Sequence, residues 1–169
     1  GNHGRAGAKG EGHPKTNFDG FFYHALKQAL SNQDHIKVYI SNCPTMIVKH
    51  GNFNHALNHN DTVNAWNGIP YYGLERRARR LSDMYGMPIH YKLGGHFHET
   101  SSLADEIFIN GTMVGGSDLS INKMSKTSIP SQKIFYYHPI EGINRESTLH
   151  LAKRPILTPD ENGIYTSHE

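Results

Sequence analysis

The stretch 91-YKLGGHFHET-100 governs how the rest of the chain is read, because two histidines flank one aromatic residue directly after a glycine pair. Alternate residues of an extended segment face the same side. His96 and His98 are therefore expected to face one point, with Phe97 turned into the packing. Gly94 and Gly95 carry no β-carbon and let the backbone turn sharply where a strand ends. Two neutral imidazoles on such a corner suit a divalent metal ion. The alternative is a pair of exposed loop histidines in a histidine-rich protein, and the choice depends on what else in the chain can meet them.

The chain has 169 residues, 17 basic against 15 acidic, and is 36% hydrophobic. That suits one domain with a proper core. A formal charge of +2 is too small to announce a nucleic-acid partner by itself. The compositional outlier is histidine, with 13 copies. Cys43 is the sole cysteine, which excludes an internal disulfide and cysteine-based zinc sites. It also fits a reducing, cytoplasmic setting. No apolar run approaches the roughly 18 residues of a membrane helix, and no signal peptide is visible, so no membrane partner is expected. The opening "GNHGRAGAKGEGHPKTN" has no initiator methionine and no strand before its glycines. It reads as the middle of something, with an upstream part removed or carried on a separate chain.

Residues 1–17 show no periodicity and read as a loop. "FDGFFYHALKQALSN" (18–32) sets Phe18, Phe22, Ala25, Leu26 and Ala29 at helical spacing, predicting a helix that buries its aromatic face behind an Asp19 N-cap. "HIKVYISN" (35–42) and "PTMIVKHGN" (44–52) read as strands. Phe53–Trp66, rich in asparagine, reads as a functional loop, and its His55 and His59 as polar loop residues unless they touch substrate or metal. "GIPYYGLERRARRLSDMYG" (68–86) predicts a helix with Leu74, Ala78 and Leu81 on one face and Gly86 at its end. "PIHYKL" (88–93) is a strand running into the glycine corner. "DEIFINGTMVGG" (105–116) predicts a hairpin around Asn110-Gly111, and "SQKIFYYHP" and "STLHLAK" predict two further strands. The reading is one mixed α/β domain over 1–152, followed by a loose or partner-contacting tail over 153–169.

Three segments place ligand-type residues after an apolar run or at a glycine turn: Asn2-His3 behind Gly1, His50 before Gly51, and His96 with His98. Asparagine oxygen and histidine nitrogen are competent ligands for Mn²⁺, Fe²⁺, Zn²⁺ or Ni²⁺. Ends of strands in one sheet share an edge, so residues dozens apart in sequence can converge there.

In order and spacing, "GNH" at 1–3, "HG" at 50–51 and "GGHFH" at 94–98 resemble the last three motifs of the calcineurin-like metallophosphoesterases. That family runs Asp-x-His, Gly-Asp, Gly-Asn-His-Asp/Glu, a lone His, then Gly-His-x-His. "NAWNGIPYYGLERRARR" (64–80) is similar to phage-encoded members, and the resemblance covers about 1–150. It implies an α/β fold, the C-terminal part of a two-sheet sandwich flanked by helices. It also implies two divalent metal ions, Mn²⁺ foremost with Fe, Zn or Ni as alternatives. Asn2, His50 and His96 would bind one ion, His98 would bind the other, and His3 would be the catalytic histidine that steadies or protonates the leaving oxygen. Two ions roughly 3.5–4 Å apart then support in-line attack on phosphorus. Neutral histidines leave such a site cationic, as an anionic phosphate ester requires.

The family's Asp-x-His and Gly-Asp motifs would precede Gly1. The chain is therefore expected to need an upstream half, on the same or a separate chain, to hold a tight two-metal centre. Position 4 is Gly where the family has Asp or Glu. Arg5 follows as a candidate phosphate contact, against a plain surface arginine. Arg76, Arg77, Arg79 and Arg80, beside Tyr71, Tyr72 and Trp66, are either a solvated helix face or a stripe along a nucleic-acid backbone. The expected function is metal-dependent phosphoester hydrolysis, with a nucleic-acid phosphodiester as substrate and the host cytoplasm as location if the chain is phage-encoded. A phosphomonoesterase is the nearest rival within the enzyme class. A non-catalytic half that needs a partner chain is the rival outside it.

Overall fold

The computed structural model describes residues 1–2, 4–8, 14–65, 70–116, 128–152 and 161–163. In chain order the elements are a short 3₁₀ turn, Pro14–Thr16, then α1 (Asp19–Ala29), β1 (Thr45–His50), β2 (Phe53–Asn58) and α2 (Tyr71–Tyr85). They continue with β3 (Tyr91–Gly94), β4 (Ser101–Leu103), β5 (Ile107–Ile109), β6 (Ser131–His138) and β7 (Gly142–His150). Five strands form a mixed sheet in the order β1-β2-β3-β5-β4, and β6 and β7 form a separate hairpin. β2, β3 and β5 run parallel, while β1 and β4 pair antiparallel at the two edges. The α/β architecture expected from the sequence is present.

The sheet is covered on both faces. Leu74, Ala78 and Leu81 recur at helical spacing on α2 and are its buried side chains apart from Gly73. They pack into two clusters, one with Ile107 and Ile109, the other with Ala56 and Ile89. Phe97 packs against the first, as its place between the two histidines predicts. Phe108 faces the hairpin instead, its ring set edge-on to Phe135 at 5.0 Å between centroids. Consequently all three residues of β5 are buried, the pattern of a strand covered on both faces. The hairpin is also tied by polar groups: the Lys133 ammonium and Ser102 hydroxyl both donate to the Glu146 carboxylate. Burial acts to raise the Glu146 carboxyl, but Ser102 and Lys133 outweigh it and hold it below its ordinary value.

Several sequence expectations are corrected. Residues 35–42 form no strand. The supposed loop after Phe53 begins with β2, paired to both β1 and β3. The predicted hairpin at Asn110-Gly111 lies instead between β4 and β5, through left-handed Ala104 (φ 53°) and Asp105 (φ 54°). Asn110 uses its side chain to hold the second sheet, bonding Gln132 and the Lys133 backbone. On α1 the N-cap position is Phe18, not Asp19, and the helix buries none of its residues, with Phe21 75% exposed.

The end of α2 follows expectation. Gly86 caps it in the left-handed region at φ 63°, with nothing within 4 Å of where a β-carbon would stand. Gly86→Ala therefore tests backbone strain without a clash. It should destabilise the chain by about 1 kcal/mol in urea unfolding.

At the β1–β2 turn, His50 stacks on Tyr137 at 4.2 Å between centroids, and the Tyr137 hydroxyl donates to the His50 carbonyl. Beneath them His55 is buried among His50, Tyr91 and Tyr137, and its Nε2 has no hydrogen-bond partner among the described residues. Burial first, then the neighbouring His50 and His90, push the His55 pKa below 6.5. The unfolded chain takes up a proton near pH 6.5 that the folded chain refuses, so stability is full above that pH and declines as pH falls through it. Thermal unfolding should show this decline, and His55→Phe should flatten it. An unchanged profile in the variant would assign the pH dependence elsewhere.

Candidate functional site

The C-terminal ends of β2 and β3 lie side by side, because Asn58 pairs with Gly94 in parallel register. Just past that pair the two strands are locked together by Asn60. Its backbone N–H donates to Asn58 Oδ1 (2.7 Å), and its own φ is 70°. Its carboxamide fills the space beside Gly94, where a β-carbon would fall 1.8 Å from Asn60 Nδ2. Gly94 is thus required by close approach, a more specific reason than the sharp turn read from the sequence.

This lock sets His59 and His96 together at the sheet edge, their rings 5.2 Å apart and inclined at 75°. Asn2 completes the group. His59 Nε2–H donates to Asn2 Oδ1 at 2.6 Å, and His96 Nδ1–H reaches the same oxygen at 3.3 Å. The loop that delivers Asn2 is held against the start of α1. The Asn17 side chain donates to the Gly1 carbonyl (2.6 Å), the Phe18 N–H donates to the Gly4 carbonyl (2.7 Å), and Arg5 bridges to Asn17. A β-carbon at Gly4 would lie 2.2 Å from Asn17 Oδ1 and 2.3 Å from Asp19 Oδ1. Glycine stands there because those two polar side chains occupy the space.

Two of the four expected metal ligands, Asn2 and His96, are therefore in contact. His98 sits on the same turn, exposed; both His96 (φ 81°) and His98 (φ 60°) are left-handed, so the segment bends instead of extending. His50 is placed elsewhere. It pairs with Phe53 at the opposite end of the strand that finishes at Asn58, about 16 Å away at the usual rise per residue. The position expected of His50 is filled by His59, which the sequence reading set aside with the asparagine-rich loop. A signal was present: His59 stands two residues past the apolar pair Ala56-Leu57, as a strand-end ligand can. The expected catalytic residue, His3, lies outside the described residues, as do Trp66 and most of the 153–169 tail.

The donor set of one carboxamide oxygen and two imidazole nitrogens is chemically apt for a borderline divalent cation, once both ring nitrogens surrender their protons. It is a partial set. Among the described residues no trio of His, Cys, Asp or Glu side chains stands close enough to share an ion.

The chain matches no protein-family model and no curated protein. Two solved structures align with it. One is a single mutant of Vps29 from Entamoeba histolytica, at 18% identity and TM-score 0.41, covering 70% of this chain and 66% of that one. The other is Vacuolar Protein Sorting 29 from Cryptosporidium parvum, at 20% identity and TM-score 0.40, covering 72% and 63%. Neither alignment says what this chain does. The chain spans just under two thirds of the length of each. No helix among the described residues is long and apolar enough to cross a membrane.

Proposed function

We propose that this chain carries the asparagine–histidine part of a metal-dependent phosphoester hydrolase of the calcineurin-like type, acting on the phosphodiester of a nucleic acid. One observation carries the proposal: Asn2, His59 and His96, brought from three separate segments, meet around a single oxygen. In this reading His59 and His96 hold a divalent ion, Mn²⁺ foremost, through Nε2 and Nδ1, and Asn2 through Oδ1. The ion, when bound, supplies Lewis acidity to the phosphoryl group. His98, on the exposed side of the same turn, is assigned to a second ion. His3, next to Asn2 in sequence, is assigned the proton for the leaving oxygen, and Arg5 a phosphate contact.

A second reading is favoured because the trio of Asn2, His59 and His96 includes no carboxylate. On that reading the chain is a half-site that acts only with a partner segment carrying carboxylates. Hydrolysis of bis-(p-nitrophenyl) phosphate with Mn²⁺ tests both. Turnover by this chain that is lost in His59→Ala supports the hydrolase. Turnover equal in the variant overturns it. Mn²⁺ binding that needs His59, without turnover, supports the half-site.

A further inference from the structure

We infer that the outward face of α2 is a docking surface for a single nucleic-acid strand, formed by Tyr72, Arg76 and Arg80 with Arg79 beside them. The inference deepens the proposed function by giving its substrate a path, and it rests on that reading only for the choice of substrate. Four of the chain's seven arginines lie within residues 76–80, and α2 carries no lysine. Tyr72, Arg76 and Arg80 follow one another at intervals of four, so their side chains form a row along one face. Leu74, Ala78 and Leu81 face the sheet, while Tyr72 is 66% exposed and Arg76 and Arg80 are exposed.

The row is poorly neutralised. Glu75 pairs with Arg79, whose side chain is 78% exposed, and Asp83 makes no ion pair among the described residues. Arg77, the fourth arginine, points off the row and donates to Thr62 Oγ1 at 2.7 Å. Like charges at this spacing repel along a helix, so an anionic occupant would relieve a standing repulsion. Guanidinium forks match phosphate oxygens bidentately. An exposed tyrosine in line with them offers a ring on which any base can stack.

The helix that carries the row is tied to the segment leading from the site. A β-carbon on Gly73 would lie 2.3 Å from the Asn64 carbonyl, and Arg77 holds Thr62. Both anchors belong to the segment that follows directly on His59. The helix bearing the cationic row thus begins where the chain leaving His59 ends.

The test is fluorescence anisotropy of labelled oligothymidylate and oligouridylate, in EDTA, across a salt series. Wild-type chain should bind at least one of them. The double variant Arg76→Gln, Arg80→Gln should bind about tenfold or more weakly, with the slope of log K against log salt shallower by about 1.4, two single-strand phosphates. Tyr72→Leu should weaken binding and keep the slope. The double variant Lys27→Gln, Lys37→Gln, equal in charge loss but on other segments, should match wild type. Equal affinity and slope in the arginine variant overturn the inference, as does equal weakening by the lysine pair. If wild type hydrolyses bis-(p-nitrophenyl) phosphate but binds neither oligonucleotide, the surface is wrong and the site stands. If it binds the strand without hydrolysing the ester, the hydrolase reading of this chain alone fails and the surface stands.

Discussion

Titrated with Mn²⁺, the wild-type chain is expected to unfold at a higher temperature, and His59→Ala and His96→Ala are each expected to lose that gain. His50→Ala is expected to keep it. At an ion concentration about a hundredfold above the dissociation constant, binding to the folded state alone stabilises by about 2.7 kcal/mol. For a chain of this size that is about 5–10 °C. Removing even an outer-sphere partner of a ligand costs about 10–100-fold in affinity, so deleting an imidazole that touches the ion removes nearly the whole shift. The contrast with His50 is the discriminating part. It is exposed, stacks on Tyr137 and belongs to the far end of β1. A shift abolished by His50→Ala and kept by His59→Ala would refute the placement at the end of β2. No shift in the wild type would remove the metal from the proposal.

The largest effect on folding is expected from Ile109→Ala. Ile109 is 2% exposed and sits in the cluster joining α2 to the sheet, on a strand paired at both edges. Large-to-small changes in such positions cost about 2–5 kcal/mol, from lost transfer energy and the cavity left behind. With a covering layer on each side the site has little freedom to collapse, so about 4 kcal/mol is expected, or roughly 8–16 °C. Urea unfolding measures it. A cost below about 1 kcal/mol would mean that α2 and the sheet can close over the gap, contrary to the packing described.

The elements legible in the sequence are those whose own residues do the packing. α2 announced itself through Leu74, Ala78, Leu81 and its terminal Gly86, and β6 through the run from Ile134 to Tyr137. β2 was hidden because asparagines at 54 and 58 do structural work that composition does not reveal. Asn54 donates to the Pro88 carbonyl, and Asn58 to Pro44 and Thr45. The stretch 35–42 has β-branched residues, yet among the described residues no strand pairs with it, and propensity alone does not make a ladder. For the site, residue type was readable and position was not. Two histidines lie near residue 55 and one at 50, and which of them reaches His96 depends on the direction of β2, a tertiary fact.

The carboxamide shared by two imidazoles has a consequence for the order of assembly. It is 57 residues from one ring and 94 from the other, so neither contact can form until distant stretches have been gathered. The β6–β7 ribbon closes locally and forms early, on the microsecond scale of hairpins. The triad is expected to close late, and the segment that delivers its oxygen is held by backbone bonds, by Asn17 and by the Gly1–Asp19 ion pair, with none of its described residues buried. Amide exchange should find that segment opening far more readily than the strands it serves, so competence would be gained last in folding and surrendered first.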